Sequence, residues 1–145
     1  MPEPMKTFQE YIDQDMMNWL QKNNLKYKVA NIQLDKGSLC LFFNDKLCVK
    51  VYDRLGHGYS LSINIADQYD ESIYENDNFN LSWAFKYFKI SQISNFSSRS
   101  EEQYLMNLPK VIEDIKNIIP YLNGLKSAEW IEMKEWINIE VRKGN

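Results

Sequence analysis

The chain has 145 residues, of which 44% are hydrophobic and 26% are charged, and its net charge is −3 at pH 7. These values are typical of one ordinary globular domain, so we expect residues 1–145 to form a single unit. The acidic balance argues against nucleic acid as a partner, because phosphate binding requires a basic surface. No apolar run is as long as a membrane span, and residues 1–19 lack the pattern of a signal peptide. We therefore expect a cytoplasmic protein without a membrane partner.

Residues 7–23 predict the first helix. Its apolar residues recur at helical spacing, and they are Phe8, Tyr11, Ile12, Met16, Trp19 and Leu20. Thr7 and Glu10 have the spacing of a capping box, in which two side chains satisfy free backbone N–H groups at the start of a helix. We expect the apolar face of this helix to pack on a sheet.

Residues 25–65 predict that sheet. Four segments that alternate apolar and polar residues are separated by polar turns, which is the pattern of an antiparallel meander. We predict that Phe43 lies opposite Leu47. We also predict that Val51 lies opposite Leu61. This register collects ten apolar side chains on one buried face. They are Leu39, Leu41, Phe43, Leu47, Val49, Val51, Tyr59, Leu61, Ile63 and Ile65.

The predicted register also defines a second, outer face of the sheet. Its apolar residues are Cys40, Phe42, Cys48 and Tyr52. Either a later helix covers these side chains, or they form a docking surface, which includes the contact face of a homodimer. Cys40 and Cys48 share this face but do not lie directly opposite each other, so we predict two thiols and no disulfide.

Residues 66–78 predict an acidic loop, with five carboxylates, two tyrosines and no lysine or arginine. Solvation, contact with a basic protein partner and cation binding are three interpretations of this loop. The loop lacks the turn glycine and terminal glutamate of a calcium-binding EF-hand. The candidate partner-binding residues are Asp67, Asp70, Glu71, Tyr74, Glu75 and Asp77, together with Tyr52, Arg54 and His57 near a hairpin tip.

Residues 79–90 fit both a strand and a helix. Asn78 or Asn80 is a suitable residue to begin a helix, so we favour a short helix with a fifth strand close behind it. Residues 91–99 then predict a polar linker.

The last third of the chain predicts two helices. Ser100 and Gln103 have capping-box spacing, and Pro109 predicts a kink or a break with Asn107 or Leu108 at the boundary. The pair Asn123-Gly124 predicts the end of this helix. Ser127 then predicts the cap of a final helix. The apolar side of the final helix contains Trp130, Met133, Ile137 and Val141, while Trp136 lies off that side.

The complete pattern predicts an α+β fold. We expect an antiparallel meander of four or five strands, with an N-terminal helix and C-terminal helices packed on it.

No residue set indicates a catalytic, cofactor-binding or metal site. His57 is the single histidine and lies between two glycines at a predicted hairpin tip, where no neighbour holds it as a general base. The chain lacks a nucleophile elbow, a phosphate-binding glycine loop and the ligands of a zinc site. This favours a protein without catalytic activity but leaves that question open.

Three segments carry a resemblance of layout. They are the strand pair VYDRLGHGYSLSINI, the apolar element NLSWAFKYF, and the helix SEEQYLMNLPKVIEDIKNIIPYL before a tail that contains tryptophan. This order of elements resembles the small α+β immunity proteins of bacterial polymorphic toxin systems. The resemblance covers most of the chain and implies a single bacterial cytoplasmic domain with an acidic surface and no catalytic motif. It transfers no individual residue.

Two functions follow as hypotheses. The first is a non-catalytic protein-binding module, of the immunity type, that neutralises a basic partner protein through the acidic loop. The alternative is a small-ligand-binding protein or enzyme with a pocket between sheet and helices, in which His57 is the polar group and Tyr59 or Trp83 is a wall. A homodimer through Phe42, Cys48 and Tyr52 is a third arrangement.

Overall fold

The structure is a computed structural model that describes residues 12, 16–31, 38–54, 60–69, 71, 79–94 and 100–144. Its elements in chain order are α1 (Met17–Lys22), β1 (Lys26–Asn31), β2 (Ser38–Phe43), β3 (Cys48–Arg54), β4 (Ser60–Ala66), β5 (Phe79–Asn80), α2 (Leu81–Phe88), α3 (Glu101–Asn123) and α4 (Ser127–Lys143). The strands form one antiparallel sheet in the order β1-β2-β3-β4-β5. The predicted α+β class and meander are therefore confirmed. Among the helices within these ranges, none is long and apolar enough to cross a membrane.

The pairing of β2 with β3 differs from the prediction by one residue. Phe43 pairs with Cys48, and Phe42 pairs with Val49. Because side chains alternate between faces, this shift moves every β2 side chain to the other side of the sheet. The prediction that Leu39, Leu41 and Phe43 share a face with Val49 was wrong.

The turn between β2 and β3 explains the shift. The backbone N–H of Asn44 donates to the carbonyl of Leu47 over 2.9 Å. The side-chain oxygen of Asn44 also accepts from the backbone N–H of Lys46 over 2.8 Å, so asparagine stabilises its own turn. Leu47 therefore belongs to the turn, and the first paired residue of β3 is Cys48.

One face of the sheet holds the main core. Its buried side chains are Cys40, Phe42, Val49, Val51, Leu61, Ile63 and Ile65. We predicted that Val51 pairs with Leu61, but it pairs with Ile63. This shift of two residues keeps the β4 side chains on the predicted face. The apolar faces of all four helices pack in the same core.

The second face of the sheet is also buried. Leu39, Leu41, Cys48 and Ala66 form a smaller cluster there, with Phe43 and Tyr52 packed against it. Both cysteines are free thiols, as predicted, but Cys40 lies in the main core and Cys48 in this cluster, so they do not share a face. The prediction that Phe42, Cys48 and Tyr52 share one face was therefore wrong, because Phe42 lies on the core face.

The described part of the first predicted helix is α1, whose Leu20 is buried together with Ile12 and Met16. The proposed capping box of Thr7 and Glu10 lies outside the described residues.

Asn80 begins α2 as predicted, and its side chain accepts from the backbone N–H of Ser82 over 2.9 Å. The fifth strand precedes this helix and does not follow it. The two residues of β5 pair with β4, and the helix begins at the next residue. The ambiguous segment therefore contains both a short strand and a helix.

Helix α3 begins at the Ser100 cap, whose hydroxyl accepts from the backbone N–H of Gln103 over 3.2 Å. It continues to Asn123, so the predicted boundary at Asn107 or Leu108 was wrong. Pro109 is exposed, while its neighbours Leu108 and Val111 are fully buried. Packing of the inner face holds the helix together where proline removes one backbone hydrogen bond on the outer face.

Helix α4 begins one residue earlier than predicted, because Lys126 occupies the cap position and Ser127 is the first helical residue. The Glu129 carboxylate accepts from the backbone N–H of Lys126 over 3.0 Å. Val141, predicted on the apolar side, is exposed. Trp136 instead packs against the edge of the core.

Candidate functional site

Three adjoining clefts lie at one end of the sheet. The first, of about 710 Å³, lies between the end of α1, the β2–β3 turn and the residues after β4. The second, of about 530 Å³, lies between the same turn and the connection from α3 to α4. The third, of about 240 Å³, joins α1, the turn and Asn123. We call residues 21–26, 43–46, 67–69 and 123–130 around these clefts the turn groove.

Asparagine side chains hold the three loops of the groove together. The Asn44 amide donates to the Asn123 side-chain oxygen over 2.8 Å and to the carbonyl of Asn24 over 3.2 Å. The Asn123 amide donates to the carbonyl of Asn23 over 3.2 Å. This asparagine network joins the end of α1, the β2–β3 turn and the end of α3. It gives the groove walls a defined geometry, because each bond crosses between elements that are distant in sequence.

The backbone at the end of α1 suits asparagine. Asn24 has a φ of 56°, in the left-handed region that asparagine tolerates better than most residues. The Asn23 amide donates to the carbonyl of Trp19 over 2.8 Å and so satisfies one of the last carbonyls of the helix.

Asp45 lines all three clefts. It is exposed, and its carboxylate makes no ion pair or hydrogen bond with any residue that the structure describes. The sequence pattern places Asp45 in the polar turn between two predicted strands and indicates no function for it. Its importance depends on the loops that fold around the turn, and no local pattern indicates them.

The described carboxylates of the acidic loop are paired. Asp67 accepts from Lys134 of α4 over 2.8 Å, and it lines the second cleft. Glu71 accepts from Lys28 of β1 and from the hydroxyl of Tyr69. Each of these two predicted partner-binding carboxylates therefore has a lysine beside it. The other loop candidates, which are Asp70, Tyr74, Glu75 and Asp77, lie outside the described residues.

Tyr69 stands in the wall of the first cleft and is 42% exposed. Its ring meets the ring of Phe43 edge-on, with 4.6 Å between centroids, and the Lys28 ammonium lies 6.0 Å from its centroid. Ring contact, hydroxyl and nearby cation together hold the side chain in one orientation. Tyr69 is one of the two tyrosines of the acidic loop, and it was not among the predicted partner-binding residues.

The pKa values of Tyr69 and of its neighbours Lys28 and Glu71 are all shifted. Hydrogen bonds from Lys28, and then from Tyr69, lower the pKa of Glu71. The hydrogen bond to Glu71 raises the pKa of Lys28. Desolvation, followed by the hydrogen bond to Glu71, raises the pKa of Tyr69. Near neutral pH the cluster therefore contains an ammonium, a carboxylate and a neutral phenol.

The other described candidates, Tyr52 and Arg54, are not part of the groove. Tyr52 is partly buried on the second face of the sheet, and Arg54 ends β3, whose first residue adjoins the turn. Six residue steps of about 3.3 Å place Arg54 roughly 20 Å from the turn. His57 lies outside the described residues. The structure therefore places Arg54 and the described loop residues at opposite ends of the sheet.

The pocket of the alternative hypothesis is only partly described. Trp83 packs against the core, with the Lys86 ammonium 4.4 Å from its ring centroid, and it lines none of the three clefts. His57 and Tyr59 lie outside the described residues. Within the described ranges, no group of three or more histidine, cysteine, aspartate or glutamate side chains is placed to hold a metal ion.

Comparisons of the chain with protein-family models, curated proteins and solved structures found no match.

Proposed function

We propose that this chain is a non-catalytic protein-binding module whose partner contacts the turn groove. The observation that carries this proposal is Asp45, an exposed carboxylate that lines all three clefts and has no ion-pair or hydrogen-bond partner among the described residues. A charge that the fold leaves unpaired is available to the complementary charge of a partner. Such pairs determine the orientation of a complex and raise its association rate.

Tyr69 supplies the apolar contact. Tyrosine is enriched among the residues that contribute most to protein interfaces. The ring of Tyr69 is already oriented by Phe43 and Glu71, so binding costs less side-chain entropy than at a free tyrosine. The amide side chains of Gln21 and Gln68 line the same cleft and offer hydrogen bonds to a polypeptide backbone.

The partner that we propose is basic, and the role is that of an immunity-type protein that neutralises it in the cytoplasm. The net charge of −3 attracts a basic protein over distance. The clefts are lined by three lysines, Lys26, Lys46 and Lys126, and by two carboxylates, Asp45 and Asp67, so the acidic excess of the chain lies outside the groove. Asp45 therefore determines where one cation of the partner binds, while the whole chain supplies the attraction.

A small ligand is the second candidate occupant of the groove. The first cleft, at about 710 Å³, lies within the range of about 300–1,000 Å³ that is usual for small-molecule sites. Its lining combines amides with two aromatic rings, which suits a ligand with both polar groups and a flat apolar surface.

An affinity pull-down from the native lysate tests the proposal with two groove variants, Asp45→Asn and Tyr69→Ala. The matched controls are Glu113→Gln, an exposed carboxylate on α3, and Tyr121→Ala, a tyrosine that is 51% exposed. We expect wild type and controls to retain one stoichiometric basic protein. Both groove variants should lose it, with affinity at least about tenfold weaker for Asp45→Asn.

A partner that both groove variants retain would contradict the proposed site. A small molecule that co-purifies with wild type, without any protein, would favour the second candidate. Charge reversal at Glu71 does not test the partner contact of the acidic loop by itself. Glu71→Lys would also place two ammonium groups together, because Lys28 pairs with Glu71 in the folded chain.

A further inference from the structure

Helix α4 begins in the wall of the second cleft of the turn groove. Lys126, at the cap position, and Ser127, the first helical residue, both line this cleft. The first N–H groups of a helix have no acceptor within the helix and form the positive end of its dipole. No described side chain caps them here, since the Glu129 carboxylate accepts from the backbone N–H of Lys126 instead. The N–H groups of exposed residues 127–129 are therefore available to an acceptor.

Trp130 is an independent sign of a ligand at the same place. It lines the second cleft, although only 3% of the residue is exposed. Its indole N–H is buried and donates to no acceptor among the described residues. Burying a donor without a partner costs free energy, so native proteins seldom keep one unless a bound ion, ligand or water accepts from it. The indole N–H therefore points to a ligand that carries acceptor atoms.

The charges around the second cleft favour an anion. Lys46 and Lys126 line the cleft, and neither has an ion-pair partner in the part of the chain that the structure describes. Two carboxylates also line it, but Asp67 pairs with Lys134 over 2.8 Å. Asp45 is then the one described carboxylate in the wall whose charge opposes an anion. Two ammonium groups and the start of a helix outweigh it.

We infer that the second cleft binds an oxyanion, and that a phosphate group matches its donors best. A phosphate accepts several hydrogen bonds at once, so it suits a site that combines backbone N–H groups, an indole N–H and ammonium groups. A carboxylate has the same chemistry with fewer oxygens and less charge, so it should bind more weakly. The inference does not depend on the proposed function, because every donor belongs to one chain.

An NMR titration of the ¹⁵N-labelled full-length chain with sodium phosphate tests the inference, at neutral pH and at an ionic strength held constant with sodium chloride. The chain has four tryptophans, so the indole signal of Trp130 is the one that Trp130→Phe removes. We expect phosphate to shift this signal and the Ser127 amide signal together, with saturation at a dissociation constant of about 1–10 mM. Sodium acetate should bind at least about threefold more weakly.

Four variants test the role of each group. Lys126→Gln should weaken phosphate binding about threefold, while Lys110→Gln, at an exposed lysine of α3, is the matched control and should leave it unchanged. Trp130→Phe keeps an aromatic ring but removes the donor, so binding measured at the Ser127 amide should weaken about threefold or more. Asp45→Asn should strengthen phosphate binding about threefold, although the proposed function predicts that this variant loses its protein partner.

The absence of saturable shifts at Trp130 and Ser127 would overturn the inference, as would equal shifts with sodium chloride alone. Wild-type affinity in a Lys126→Gln variant that circular dichroism shows to be folded would also overturn it. Acetate that binds as tightly as phosphate would overturn the assignment of phosphate. Loss of the pull-down partner in Asp45→Asn, without phosphate binding in wild type, would reject the oxyanion site and leave the proposed function standing.

Discussion

Substitution of Asp114 tests directly how much one buried carboxylate stabilises this fold. It lies fully buried in α3, where sequence periodicity indicates apolar residues. Its carboxylate accepts from the backbone N–H of Ile93 over 3.0 Å and of Ser94 over 2.8 Å, and also from the Ser94 hydroxyl. These bonds attach the segment after α2 to the middle of α3. We predict that Asp114→Ala strongly destabilises the domain.

The magnitude follows from the bonds that are lost. A hydrogen bond to a charged group contributes about 1.5–3 kcal/mol net, and Asp114 accepts three. Two effects reduce the total. Water can reach the exposed Ile93, and the substitution also removes the cost of burying a charge. We therefore expect the free energy of unfolding to fall by about 3 kcal/mol.

Urea denaturation followed by circular dichroism measures this loss. With a slope of about 2 kcal/mol per molar urea, the midpoint should fall by about 1.5 M. The matched control is Glu113→Ala, at the adjacent exposed position, which should change stability by less than about 0.5 kcal/mol. Ser94→Ala removes only the hydroxyl donor and should cost about 1 kcal/mol. Equal midpoints for the Asp114 and Glu113 variants would refute the reasoning.

Three further predictions test other parts of the structure. Phe42→Ala should lower the free energy of unfolding by about 4 kcal/mol in urea titrations, and Phe43→Ala by only about 1 kcal/mol, because only Phe42 lies in the main core. Asn44→Ala should cost about 2 kcal/mol by the same assay, since its amide joins two other loops. Hydrogen bonding, chiefly from Lys28, lowers the pKa of Glu71, so this carboxylate stabilises the fold above the ordinary glutamate pKa of about 4.3. The stabilisation disappears as pH falls through the lower folded pKa, so thermal melts of wild type and Glu71→Gln should differ at neutral pH and converge once the pH is below that folded pKa.

Each of these predictions has a result that would contradict it. A larger loss for Phe43→Ala than for Phe42→Ala would indicate the register that we first predicted. An Asn44→Ala variant as stable as wild type would mean that the asparagine network does not hold the loops together. A difference between wild type and the Glu71 variant that grows towards acid would have the wrong sign for a lowered pKa.

Local sequence signals located most helix ends but not the strand register. Asn80 and Ser100 begin helices because their side chains accept from backbone N–H groups nearby, and such contacts are visible in a short segment. The register between β2 and β3 depends on which of the two alternating sets of β2 side chains faces the main core. In β2 both alternating sets are apolar, since Leu39 and Leu41 are as fully buried as Phe42. Either register therefore buries apolar side chains, and alternation could not distinguish them.

The proline in α3 shows a different limit. Proline removes a backbone hydrogen bond and, by local propensity, ends or bends a helix. The inner side of α3 carries buried residues on both sides of Pro109, so tertiary packing outweighs that local cost. A single sequence cannot supply the strength of packing, because it depends on the sheet and helices that meet the inner face.

The candidate site was the least predictable feature, for an electrostatic reason. The sequence shows five carboxylates between residues 66 and 78 and suggests a free acidic surface. In the fold, Lys28 reaches Glu71 from 43 positions away, and Lys134 reaches Asp67 from 67 positions away. Ion pairs at such separations have no local pattern.

Pairing therefore decides which charges remain for partners. Asp67 and Glu71 each have a lysine beside them, so the effect of replacing either one mixes a lost partner contact with a lost internal ion pair. Asp45 has no such partner among the described residues, so Asp45→Asn changes the groove without leaving a described lysine unpaired. Unpaired charges beside exposed aromatic rings are thus better candidates for binding than the segment with the most carboxylates, and they also give the cleaner mutational tests.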